Sequence, residues 1–502
     1  MAINLSNVTF TDQDDIVPPS GVEPISVYSF TTINTLAGDD IINGGNDITG
    51  ISPDDYAFTN GGTLNTNSGN DLITGIYDSY VANFYGAGIV NRGSRELSSD
   101  FDFAIINTFA TINTGDGNDT ISGISGINTR GSGIENVIGI IDTGDGNDII
   151  TGVGFDYGIF TETTTINTGN GDDIITAMSE YVGIDSRVNT TINTGDGNDI
   201  ITATGDNTWG ILLLDGVIDT GEGNDIINGT GGDAGLIFSA ADFSNVGSRI
   251  NTGEGDDIIT GIGGEYYGIG ILSNYIDTGD GDDIISGTGG RYGFSSGYIN
   301  TGNGDDTISG TGSEYGFSSS YINTGNGDDI ISGTGSQRGI ASYNTLETGE
   351  GNDIITSIGV IYNQGVINTG NGNDFIIAEG TGTGYGIYNN GGAILTGDGN
   401  DSIISNEGFE SGPNSSGAWF LGEGDDYIKG FGSGDFYGGN GNDTLELTPG
   451  TYTVGIWGEG GESPIFTKGD QLMITSEFEK LKAGSTMYDF TSLTAGQIIV
   501  VA

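Results

Sequence analysis

A phased repeat constrains this chain more than any other feature. The string Asn/Asp-Thr-Gly-x-Gly-Asn/Asp-Asp, strict in some copies and relaxed in others, ends at Asp40, Asp71, Asp119, Asp148, Asp173, Asp199, Asp225, Asp257, Asp283, Asp306, Asp329, Asp353, Asp374, Asp401, Asp426 and Asp443, sixteen copies in 502 residues. Most lie 21 to 32 residues apart, with a gap of 48 before Asp119 and one of 17 before Asp443. That period is the length of one supersecondary unit, which cannot bury an apolar face until it stacks on its neighbours. Clean copies run into a β-branched pair, as in Asp148-Ile149-Ile150-Thr151 and Asp329-Ile330-Ile331-Ser332, and follow another short run, as in Tyr321-Ile322-Asn323-Thr324. Short Ile/Thr-rich runs bounded by Gly and Asp read as strands.

The expected fold is therefore all-β, a parallel β-solenoid (β-roll or β-helix) of about sixteen coils with two strands and two corners each. Equivalent residues, including both members of the Ile pair, would be buried in ladders ~4.8 Å apart. The second corner carries its own signature: Tyr157-Gly158-Ile159, Trp209-Gly210-Ile211, Tyr267-Gly268-Ile269, Tyr292-Gly293-Phe294, Tyr315-Gly316-Phe317 and Tyr385-Gly386-Ile387. This aromatic ladder reads first as packing, with a sugar-binding stripe as the second reading. The periodic region spans residues 33–443, between an N-terminal cap or assembly segment at 1–32 and a small β-rich C-terminal cap at 444–502. An insertion falls in the longest gap, around Tyr77 to Phe109.

Charge narrows the function. Lys and Arg number 11 against 69 Asp and Glu, a net charge of −58, which disfavours nucleic acid and anionic membranes as partners. No His or Cys occurs. The match of Gly293-Phe294-Ser295-Ser296-Gly297 to a nucleophile elbow therefore has no triad base beside it, and a zinc-protease reading has no His ligands. An EF-hand would need amphipathic helices and a Glu at loop position 12, which this pattern lacks. No run of 18 apolar residues suggests a membrane span, and residues 1–30 show no Sec-type signal.

The turn supplies oxygen ligands. Its glycines allow positive φ and let loop carbonyls converge, and its last Asp adds a hard anionic oxygen of the kind Ca²⁺ takes in sets of six to eight. Laid on the nonapeptide G-G-x-G-x-D-x-U-x, the copy Thr143-Gly144-Asp145-Gly146-Asn147-Asp148-Ile149-Ile150-Thr151 fits with Thr in the first place.

On these residues the chain resembles the RTX, or hemolysin-type, calcium-binding repeat proteins secreted by Gram-negative bacteria including cyanobacteria. The resemblance covers about residues 33–443. It implies that the sixteen turn aspartates ligate calcium, about one ion per coil interface. It also implies export through a type I channel without a Sec signal, folding outside the cell, and an uncleaved signal within Phe490 to Ala502. Unlike family rolls with two nonapeptides per 18-residue coil, this chain has one per ~25 residues. Calcium is thus expected on one edge, and weakly at the two N-terminal copies and those led by Leu395 and Phe420.

The function expected is a non-enzymatic, secreted, calcium-stabilised solenoid that forms or decorates an extracellular layer, sheath or filament. Its expected partners are calcium, further copies joined head to tail, and cell-surface or matrix polysaccharide. Two alternatives stand beside it. One is a polysaccharide lyase or epimerase centred on Arg92, Arg95 and Tyr85 of the insertion. The other is a glycan-binding adhesin using Tyr292 and Tyr315. Arg187, Arg249, Arg291 and Arg338 are expected to pair with neighbouring acids.

Overall fold

The structure, a computed structural model, describes residues 3–11, 13–17, 25–27, 31–45, 58–77, 89–92, 94–96, 106–108, 110–125, 130–239, 247–272, 274–295, 297–382, 384–412, 417–457 and 463–502. It divides into two compact units, Met1–Glu265 with Asn274–Thr278, and Tyr266–Ser273 with Gly279–Ala502. Each is a parallel β-solenoid.

In the first unit the strands Ile149–Gly154, Tyr157–Glu162 and Thr165–Asn167 make one coil. They pair in parallel with Ile174–Ser179 and Val182–Asn193 of the next, with a one-residue slip between the second and third strands, and these with Ile200–Gly205 and Trp209–Asp219. A coil thus has three strands, where two were expected. The aromatic-Gly motif opens the second strand and is no corner. Its glycine reads as a turn residue in sequence, but what requires it is a close backbone approach: a Cβ on Gly158 would sit 2.5 Å from the Met178 nitrogen.

The core is built from three inward ladders. Ile150, Ile175, Ile201, Ile227 and Ile259 come from the first strands, Ile134, Ile159, Ile184 and Ile211 from the second, and Ile141, Ile166, Ile192 and Ile218 from the third, all buried. Only the second member of each Ile pair faces inward, contrary to the expected burial of both. Side chains alternate across a strand, so Ile149 remains 39% and Ile174 37% exposed.

The second unit uses the same coil with larger side chains. Phe294 stacks on Phe317 with ring centroids 4.8 Å apart and planes within 4°. On the outer face Tyr267, Tyr292 and Tyr315 stack at 5.3 and 5.1 Å. The last parallel pairings join Gly434–Asn440 to Gln471–Ser476 and Thr444–Leu447 to Lys480–Ala483. Antiparallel strands then close the end, with Gly450–Trp457 between Ser463–Lys468 and Ile498–Val501. Of the insertion, Ile89–Arg92 joins the ladder beside Ser132–Val137, and Ser94–Glu96 pairs antiparallel with Ile106–Thr108. Tyr85 lies outside the described residues.

Candidate metal centre

The turn backbone is set by two glycines. In the copy ending at Asp148, Gly144 has φ +87° and Gly146 φ +150°; a Cβ would stand 2.0 Å from Gly115 O and 1.5 Å from Gly117 O of the preceding coil. Loop carbonyls therefore point along the stack, directly onto the next loop. In the relaxed N-terminal copies the first of these positions holds Leu36 (φ 77°) and Asn67 (φ 70°). A left-handed backbone costs an ordinary L-residue about 1–2 kcal/mol, so Leu36 keeps the shared geometry under strain.

All sixteen turn aspartates are buried, and each unit brings eight of them into one hydrogen-bonded column. In the first unit the backbone N–H of Asp119 donates to Asp148 Oδ1 at 2.7 Å, Asp148 to Asp173 at 2.7 Å, Asp173 to Asp199 at 2.8 Å and Asp199 to Asp225 at 2.8 Å. The same bond joins Asp40, Asp71 and Asp119 below and Asp225 to Asp257 above. In the second unit it joins Asp283, Asp306, Asp329, Asp353, Asp374, Asp401, Asp426 and Asp443 in order. Leu395 and Phe420 occupy an outer ladder beside Asn368. They leave the bonds at Asp401 and Asp426 unaltered, at 2.8 Å each.

Two further carboxylates belong to these columns and were not read from the sequence. Asp15 donates its N–H to Asp40 Oδ1 at 2.9 Å, and Asp443 donates to Glu479 Oε2 at 2.8 Å. Neither follows a glycine pair. The remaining signal is the apolar alternation after each, Asp15-Ile16-Val17 and Glu479-Lys480-Leu481.

The threonine that leads most copies is also structural. Thr143 Oγ1 donates to Thr168 O at 3.3 Å and Thr168 Oγ1 to Thr194 O at 3.3 Å, a buried ladder alongside the carboxylates. At Thr301 and Thr324 the hydroxyl turns to Oδ2 of Asp306 and Asp329, at 2.5 Å in each case.

At twelve other turns the second carboxylate oxygen is an orphan. Oδ2 of Asp40, Asp71, Asp119, Asp148, Asp173, Asp199, Asp225, Asp353, Asp374, Asp401, Asp426 and Asp443 is buried without a hydrogen-bond donor. Burial dominates their protonation, opposed in part by the threonine hydroxyl and the bonded amide. It pushes Asp148 and Asp199 to about 6 and Asp173, Asp225 and Asp353 to about 7; the threonine-bonded Asp306 is raised by the same burial to about 8. A buried carboxylate of this kind must gain a proton or a cation.

The donor set fits a hard divalent cation, since it is all oxygen and has an uncommitted anionic atom at twelve of the sixteen turns. Oδ1 is already engaged, so each of these twelve aspartates offers one oxygen. Among the described residues no three Asp, Glu, His or Cys side chains converge. A cation in this column would therefore draw most of its ligands from the backbone carbonyls.

The adjacent acids Asp328 and Asp329 face opposite ways. Asp329 is buried while Asp328 lies on the outer surface, where its Oδ1 accepts the Asn352 N–H at 2.7 Å and holds its carboxyl below the usual range. Of the arginines, Arg187 pairs with Asp185 at 2.7 Å and Arg291 with Glu314 at 2.9 Å. Arg338 instead lies over the Tyr362 ring at 3.8 Å and donates to the Tyr343 hydroxyl at 2.9 Å. A planar guanidinium stacks on an aromatic face readily.

Fold and site together define a parallel β-solenoid with a buried carboxylate column. No protein-family model matches the chain, and neither does any curated protein. Among solved structures it is similar to a hyperactive, Ca²⁺-dependent, β-helical antifreeze protein from an Antarctic bacterium. The identity is 18% over 85% of this chain and 82% of that one, with a TM-score of 0.34.

Proposed function

We propose that this chain is a secreted, non-enzymatic structural solenoid of the RTX type whose aspartate columns bind calcium and thereby fix the fold. One observation carries the reading: twelve buried carboxylates each present an orphan oxygen in register along a stack. Side by side they repel, by roughly 3 kcal/mol per adjacent pair at 5 Å and an effective dielectric near 20. A divalent cation between coils reverses that sign. Calcium is the candidate because it accepts six to eight oxygens in flexible geometry, carbonyls included.

Folding would then follow calcium, scarce where the chain is made and abundant outside the cell. The role proposed for the folded chain is to build or coat an extracellular layer, sheath or filament through head-to-tail contact between copies.

Calcium titration of the chelated protein, followed by far-ultraviolet circular dichroism, tests the reading. A cooperative gain of β signal in millimolar calcium, reversed by chelator, is expected. A β signal indifferent to chelator would refute the calcium role. Monodisperse monomers at high concentration in calcium would refute the assembly role alone.

A further inference from the structure

The outer register that opens the second strand differs between the two units. In the second unit it reads Tyr267, Tyr292, Tyr315, and the rings close on one another at 5.3 and 5.1 Å. Stacked faces are occupied faces, so this ladder offers little to a ligand. In the first unit the same register reads Ser132, Tyr157, Val182, Trp209, Ala234. Large and small side chains alternate there.

The backbones that carry the two rings are thus two coil spacings apart, about 9.6 Å, with the largely buried Val182 on the strand between them, 5% exposed. A flat ring seated between two aromatic side chains needs about 3.5–4.0 Å on each side, which that spacing provides. The structure has a cleft of about 550 Å³ at this place, lined by both rings together with Arg130, Glu135 and Asp156. One ring is braced: Arg187 donates to the Tyr157 hydroxyl at 3.4 Å and lies 5.0 Å over Phe160, itself 5.1 Å from Tyr157. Tyr181, 39% exposed, leans on Phe155 at 5.4 Å along the same rim.

The geometry points to a binding subsite for a neutral sugar ring between Tyr157 and Trp209. The apolar C–H face of a pyranose packs on aromatic rings, and its hydroxyls are both donors and acceptors. The polar side chains of Arg130, Glu135 and Asp156 line the same cleft. Burial raises the Asp156 carboxyl, with Arg130 opposing. Glu135 and Asp156 at the rim, on a chain of net charge −58, repel anionic ligands, and Arg130 offsets one of the two rim carboxylates. This site lies in the repeat itself, and it is independent of the calcium columns.

The test uses the full chain in millimolar calcium, titrated with cellohexaose, laminarihexaose and maltohexaose by calorimetry and tryptophan fluorescence. Choline chloride and heparin form the cationic and anionic arms. Trp209 is the natural reporter, since Trp419 is fully buried and Trp457 sits in the C-terminal cap. Saturable binding of at least one hexasaccharide is expected, weakened about tenfold or more by Trp209→Ala.

Val182→Phe, which fills the slot while leaving every polar group in place, should abolish binding with the β signal unchanged. If that variant does not fold, Tyr157→Ala at its half-exposed position supplies the same loss. Failure of all three sugars to bind would overturn the proposal. So would sugar binding that survives all of these substitutions, or choline or heparin binding in their place.

Discussion

At Asp199 the competing forces can be weighed on one side chain. Its Oδ1 accepts an amide and its Oδ2 accepts nothing, so the charged form is half solvated at zero exposure. Burial raises this carboxyl to about 6, above an unfolded value near 3.9. The folded chain therefore keeps protons that the unfolded chain has already lost, and stability without metal falls as pH rises. For the column as a whole, stability in chelator is full below about pH 4 and declines through the interval up to the folded values of about 6 to 8. Asp199→Asn keeps the Oδ1 acceptor for Asp173 and removes the charge. Calorimetry in chelator at pH 5.5, where protonated column carboxyls still hold the fold, should find this variant melting above its parent, with the two converging at pH 4. In calcium the order should invert, because the variant has lost an anionic ligand. A variant melting below its parent in chelator at pH 5.5 would mean that the carboxylate is satisfied by some other group.

Strands show what the repeat made legible and what it concealed. Fourteen turn aspartates could be read from the glycine pairs that mark them and the two N-terminal ones from a single glycine, and each unit holds eight in register. Asp15 and Glu479 were missed because the glycines that announce a turn are absent there, while the backbone bond to the column persists. The third strand was missed because Tyr-Gly reads as a corner. Its glycine answers to the neighbouring backbone, and a contact between residues twenty apart leaves no local mark. The Ile pair carries a similar ambiguity, since two adjacent apolar residues look equally buried until a strand assigns them opposite faces. Ile150→Ala, at a fully buried site, should cost about 2–5 kcal/mol. Ile149→Ala, on the outer face at 39% exposure, should cost under about 1 kcal/mol. Urea midpoints in calcium distinguish them, and equal losses would contradict the alternation.

Over the whole molecule, a net charge of −58 could unfold the metal-free chain in two ways. Acids on the outer ladders, such as Asp145, Asp172, Asp282 and Asp328, are exposed, and their mutual repulsion is screened once the Debye length falls to about 3 Å near 1 M salt. Carboxylates inside the columns are out of reach of that screening, since they have no solvent around them. If the columns govern folding, 1 M potassium chloride should leave the chelated protein at pH 8 without its β signal, while millimolar calcium at the same ionic strength restores it. If surface repulsion governs, potassium chloride alone should restore most of the signal. The columns predict the first outcome because the unsolvated charge sits at buried orphan oxygens on twelve of the turn aspartates. Diffuse counterions lower the potential around the fold, but they do not enter it, and only an ion or a proton delivered to that oxygen removes the penalty.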